Sequence, residues 1–183
     1  MSISPVLAVT LIFVALGVVT YFVYASFAYG AGYQPTPRRS VRTMLRLAEV
    51  GPLDVVYDLG AGTGAIVFRA ARNYHARVVG VEVEPLRVLI LRLRRRLGGG
   101  QDRIEIVWGN LFHLDFREAT VVTAFLWPGA MARLRPKLEK ELRPGARLVS
   151  HCHEMPGWTP TFFDRPTNVY LYRWPEAAGP PRP

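Results

Sequence analysis

The chain has 183 residues, with 23 Lys plus Arg against 14 Asp plus Glu, a formal net charge of +9. Set beside an apolar leader, that length leaves about 145 residues for one domain, too few for a cofactor domain and a separate substrate domain. One cysteine, Cys152, excludes an intramolecular disulfide and a zinc cluster built on several cysteines, and the basic balance suits anionic lipid, nucleic acid or an acidic partner without choosing among them.

In chain order, the first element is a membrane helix. Met1 to Pro37 contains no Asp, Glu, Lys, Arg or His, and Val6 to Gly30 is almost wholly apolar. About 20 such residues cross a hydrocarbon core as a helix. Tyr21, Tyr24 and Tyr29 cluster at the far end like an interfacial aromatic belt, and Arg38, Arg39, Arg42 and Arg46 follow. The positive-inside rule then puts the N-terminus outside and the remainder in the cytoplasm as a single-pass membrane protein. A cleaved secretory signal fits poorly, because there is no basic n-region and the apolar run is too long.

The two prolines of GYQPTP, residues 32–37, break the chain, and an amphipathic helix is predicted over 38–49. Strands over 54–59, 77–81, 104–108, 120–125 and 146–150 then alternate with helices over 62–73, 85–97 and 131–142. Residues 161–174 alternate as a hairpin would. This order predicts an α/β fold, a Rossmann-like, doubly wound and mostly parallel seven-stranded sheet, preceded by one N-terminal transmembrane helix. The domain plan is an anchor over 1–32, one catalytic domain over 33–175 and a disordered Pro-rich tail over 176–183.

The chemistry concentrates in DLGAGTG, Asp58 to Gly64, where the first strand meets the next helix. Gly60 and Gly62 let the backbone turn tightly and approach a ligand. GAGTGA also reads as a weak dinucleotide fingerprint. Glu82, at the end of the second strand, would bind ribose hydroxyls in either case. Asp58 discriminates: an acid ahead of the glycines suits the ammonium of S-adenosylmethionine (SAM) and sits poorly beside a pyrophosphate. Asn110, after the third strand, can pair with an adenine amino group. All three strand ends open on one rim of a doubly wound sheet.

With those motifs, and with YQPTP, VVYDLGAGTG, VGVEVEP, GNLFHLDF, EATVVTAFL, RPKLEKELRPGARLVSH and VYLYRW, the chain resembles the class I, seven-β-strand SAM-dependent methyltransferases. More narrowly it resembles the archaeal and mitochondrial protein-lysine methyltransferases that modify adenine nucleotide translocase and the ATP synthase c-subunit. The resemblance implies that Asp58 and the backbone of Gly60, Ala61, Gly62 and Gly64 hold the methionine part of SAM. It implies Glu82 with Val83 at the ribose, Asn110 with Leu111 at the adenine, and Thr36 and Tyr33 over the cofactor entrance. Thr123 and Phe125 would face the transferring methyl, and Tyr33, Phe125 and Trp127 would line a slot for a lysine side chain. No residue presents itself as a general base, although His153 and Glu154 follow the fifth strand; no metal is expected. The implied partners are the lipid bilayer and a lysine on a membrane protein. Nucleic acid is not expected, because strand four ends in TAFLWP without the motif of amino-directed DNA enzymes. A lipid or membrane-soluble small molecule is the alternative acceptor, and a non-catalytic SAM-binding membrane module the alternative role.

Overall fold

The computed structural model describes residues 4–28, 34–98 and 101–175; for residues 22, 23, 25–28 and 101 it describes the backbone alone. The chain divides into two compact units, Met1–Gln34 and Pro35–Pro183. The first contains α1, Pro5–Ala28, a helix of 24 residues without an acidic residue in its first turn or a basic one in its last. Among the described residues no helix is long and apolar enough to cross a membrane. Most α1 side chains after Tyr21 lie outside the described residues. Tyr33 and the Pro-rich tail over 176–183 also lie outside the described residues.

The second unit opens with α2, Arg38–Leu47, which buries Val41, Met44 and Leu45 on one face. It stops two residues short of the predicted end. Glu49 takes a positive φ of 50°, and the Glu49 and Val50 N–H groups donate to the Arg46 and Leu45 carbonyls, closing the helix as a left-handed cap does. Then come β1 (Val55–Leu59), α3 (Ala65–Asn73), β2 (Arg77–Glu82), α4 (Pro85–Leu97), β3 (Ile104–Trp108), β4 (Val121–Ala124), α5 (Pro128–Glu141), β5 (Arg147–His151), β6 (Phe162–Asp164) and β7 (Val169–Arg173). The helix predicted from residue 62 starts at Ala65, because Gly64 sits at φ 88° in the left-handed region. The helix predicted from 131 starts at Pro128, since proline at the first helical position forfeits no bond the helix needs.

Seven strands form one sheet in the order β3-β2-β1-β4-β5-β7-β6. β3, β2, β1, β4 and β5 run parallel, while β7 pairs antiparallel with β5 and β6. Strand side chains alternate between faces. On one face Val56, Val78, Val121 and Val149 pack with Val41 and Met44 of α2 and Val67 of α3. On the other, Tyr57, Val79, Val122 and Leu148 pack with Met131, Leu134 and Leu138 of α5. Gly80 lies in β2 on the first face; a Cβ there would come within 2.8 Å of Val67 Cγ2. Its missing side chain is what lets α3 lie close against the sheet.

Candidate active site

The period-two alternation that builds the core also selects the site residues. Asp58 pairs in register with Gly80 on one side and Thr123 on the other. Glu82 is two residues beyond Gly80, so Asp58, Glu82 and Thr123 lie on the α3 face at the carboxyl ends of neighbouring parallel strands. The connecting turns join the same rim: the Gly60 and Ala61 N–H groups donate to the Val81 carbonyl, and the Gly109 N–H to the Glu82 carbonyl. Ligands of open α/β sheets bind along this edge.

The β1–α3 turn is a backbone cradle. Gly60 and Gly62 have φ of 74° and 57°, angles at which any other residue is strained. Ala61 is buried between them. The Gly62 N–H donates to Glu82 Oε2 at 2.7 Å, and the Val83 and Glu84 N–H groups donate to Glu82 Oε1 at 3.0 Å each. Glu82 therefore fastens the end of β2 to the glycine turn, and its carboxylate retains acceptor capacity for a hydroxyl donor.

Asp58 is 3% exposed and accepts a hydrogen bond from Thr123 Oγ1 at 2.8 Å. Burial pushes its carboxyl up to about 7; the Thr123 hydrogen bond opposes that rise and the Glu82 charge reinforces it. Among the described residues no lysine or arginine pairs with it. A buried acid next to a second acid, without a cation of its own, is a site for a positively charged ligand.

The remaining predicted residues spread along the rim. Asn110 is exposed, and its Oδ1 accepts the Phe112 N–H at 3.0 Å, capping the short turn Leu111–His113. Leu111 packs at the edge of the second core face. Val83 is half-buried, and its carbonyl accepts the Trp108 Nε1–H at 3.1 Å. Thr36 is half-buried in the segment before α2, with no hydrogen bond to the strand tips among the described residues.

Past Thr123, Phe125 lies against His151 with ring centroids 4.6 Å apart. His153 stacks beside Phe125 at 6.4 Å and beside Trp127 at 5.8 Å. Trp127 is 50% exposed, so this aromatic and imidazole wall is open to solvent at one end. His151 Nδ1 is 3.2 Å from the Asn168 carbonyl. A carbonyl only accepts, so Nδ1 carries the proton and Nε2 accepts, with the Cys152 thiol 3.5 Å away as its donor in this structure. Burial holds the His151 pKa below its usual value, which favours the neutral ring. His151 was not predicted; its only signal is its place at the end of β5, opposite Phe125. Glu84 was missed too. It is fully buried, and its carboxylate caps α4 by accepting the Leu86 and Arg87 N–H groups; the pair Glu84-Pro85 before a helix is the signal for such a cap.

The sequence pattern of the ANTKMT methyltransferase domain matches residues 58–162, the span from Asp58 to β6. The chain belongs to this methyltransferase family. It is 46% identical over 129 residues to a protein-lysine N-methyltransferase of Saccharolobus islandicus (strain REY15A), covering 70% of this chain and 80% of that one. It is 32% identical over 130 residues to the lysine N-methyltransferase of the ATP synthase c-subunit from Mus musculus, covering 70% of this chain and 51% of the mouse protein; the chain thus spans about half the length of that relative. Among solved structures, an RNA methyltransferase from Salinibacter ruber in complex with S-adenosyl-L-homocysteine aligns with a TM-score of 0.75 and 44% identity, over 78% of this chain and 95% of that one. The protein is a SAM-dependent methyltransferase. The residues present fit the cofactor: an uncompensated buried Asp58 for its positive end, a glycine cradle for close backbone approach, and Glu82 for hydroxyl donors. Among the described residues no group of three or more His, Cys, Asp or Glu is placed to hold a metal.

Proposed function

We propose that this methyltransferase transfers a methyl group to the side-chain amine of a lysine on a membrane-associated protein. The observation that carries the reading is the wall formed by Phe125, Trp127, His151 and His153 next to Thr123. It is a partly exposed aromatic and imidazole surface against which an alkyl chain ending in an amine can lie. Support comes from the relatives named as protein-lysine N-methyltransferases, including those of the ATP synthase c-subunit.

SAM supplies a methyl carbon on a sulfonium leaving group. On the protein's side, Asp58, the glycine turn, Glu82 and Asn110 with Leu111 would hold the cofactor, with Thr36 and Tyr33 at its entrance. Phe125 and Trp127 strip water from the lysine stem and hold it in line, which converts the encounter into a positioned reaction. The amine must lose a proton from a group whose free pKa is about 10.4. Desolvation by the aromatic wall drives that loss, and neutral His151, with Nε2 as acceptor, stands on the same wall. The bound cofactor would supply the methyl carbon and would take up the electron pair of the bond that carbon gives up.

The membrane part of the proposal rests on the 24-residue helix α1, the absence of Asp, Glu, Lys, Arg and His from Met1 to Pro37, and the exposure of Val6, Phe13, Leu16 and Val19. A tethered enzyme meets juxtamembrane segments at high effective concentration. The orientation that follows is N-terminus out, catalytic unit in the cytoplasm.

The test is incubation of the full chain with radiolabelled SAM and host membranes, followed by lipid extraction and nuclease digestion. Label is expected in a protein band as methyl-lysine, and absent with Glu82→Gln. Label leaving with the lipid extract would make a lipid the acceptor. Label lost to nuclease would make it RNA, the substrate class named for the Salinibacter relative.

A further inference from the structure

A cavity lies on the catalytic unit among α2, α3 and the β6–β7 turn. It has a volume of about 630 Å³ and is lined by Arg39, Arg42, Arg46 and Arg69 together with Asn73 and Asp164. Arg39, Arg42 and Arg46 fall at i, i+3 and i+7 of α2, the face opposite buried Val41, Met44 and Leu45, so helical periodicity alone gathers them. Among the described residues none of these four guanidinium groups has a hydrogen bond, ion pair or ring contact. The one acid in the lining is already engaged, since Asp164 Oδ2 accepts from the Thr167 N–H and hydroxyl at 3.1 and 2.5 Å. Arg69 and Asn73 also line a neighbouring cleft of about 400 Å³ that reaches Gly64 at the end of the glycine turn.

Four guanidinium charges against the single carboxylate of Asp164 leave an excess of positive charge in one hollow, which a further anion would offset, and a guanidinium fork matches phosphate oxygens two at a time. We infer that this cleft is a phosphate-binding site, and that its occupant is the phosphodiester headgroup of an anionic lipid. This rests on the membrane tether proposed above. The composition of the lining favours lipid over nucleic acid. Single-stranded nucleic acid is gripped by basic grooves interleaved with stacking aromatics, whereas Tyr74 is the one aromatic in this lining. A juxtamembrane arginine cluster gains about fivefold in affinity for an anionic surface per arginine.

The experiment uses the full chain in neutral detergent micelles, titrated calorimetrically with phosphatidylglycerol or phosphatidylcholine. Phosphatidylglycerol is expected to bind at least tenfold more tightly. That preference should vanish in Arg42→Gln/Arg69→Gln, while SAM affinity is unchanged; the exposed single change Arg46→Gln, expected to weaken it about fivefold, covers the case in which the double variant fails to fold. Equal affinity for the two lipids, or a preference that survives both variants, overturns the inference. So does tighter binding of inorganic phosphate or of a 20-nucleotide RNA, lost in the same variants, because the site would then serve a soluble anion or nucleic acid. No methyl acceptor is present, so the lysine reading can fail without touching this result. Recovery of the chain in the supernatant of an alkaline membrane wash would overturn the tether, and with it the choice of a lipid as the occupant.

Discussion

Asp58 carries the largest electrostatic tension in the site, and its titration should be visible in cofactor binding. Its carboxyl is pushed up to about 7 in the ligand-free fold, first by burial. Between the ordinary carboxylate pKa and 7 the native state holds a proton that the unfolded chain has released. Stability from this group is therefore fully present at low pH and declines as pH rises to 7. Asp58→Asn removes that liability and should stabilise the ligand-free protein at pH 8 by about 2–4 kcal/mol in urea titrations. The same change should weaken SAM, since the ammonium loses its counter-ion. In the wild type a cationic ligand must displace the proton below pH 7, so affinity should rise about tenfold from pH 6 to pH 8 and level off above. Calorimetry in buffers of differing ionisation enthalpy would count the released proton. A flat profile in the wild type would show that Asp58 does not face the ligand's charge.

Among the elements, α3 is the one that couples the core to the site: it begins at the glycine turn and lies on Gly80 through Val67. Gly80→Ala would place a methyl within 2.8 Å of a branched, fully buried side chain. The change should cost about 1–3 kcal/mol by urea denaturation and weaken SAM as the turn shifts with the helix; unchanged stability and affinity would mean that α3 gives way freely. Much of this layer was legible beforehand. β3 and α4 have the predicted bounds, Ile104–Trp108 and Pro85–Leu97, because alternation or a Glu-Pro start and a glycine stop mark their ends. The ends missed by more than one residue are those where one residue's φ decides, at Glu49 and Gly64, or where a proline opens the helix, at Pro128; several strand ends differ by a single residue. Asp58 and Glu82 were readable as strand-end acids. The hydrogen bond from Thr123 to Asp58 was not, since it depends on β4 pairing beside β1 in a given register. His151 escaped for the same reason: it meets Phe125 only once β5 lies next to β4.

Across the whole molecule, the positive balance and the acidic site are complementary rather than contradictory. The net charge of +9 belongs to the molecule's surface, where it favours approach of anionic partners. Asp58 and Glu82, sequestered at the strand tips, keep a negative field where the cofactor's charge belongs. The proposed cofactor site draws on β1, α3, β2, the segment after β3 and β4, which together span half the sheet. Unfolding any of them destroys it, so ligand binding should stabilise the catalytic unit as one body. With SAM or S-adenosyl-L-homocysteine at 100 times its Kd, mass action adds about 2.7 kcal/mol, which for a unit of this size raises Tm by about 5–10 °C. Calorimetric scans with and without ligand test this at pH 8, where Asp58 is ionised. Asp58→Asn should show a higher ligand-free Tm and a smaller ligand-induced rise at equal concentration. A ligand shift of the same size in both proteins would mean that the binding energy comes from the glycine turn and Glu82 alone, and that the buried aspartate serves the fold instead of the cofactor.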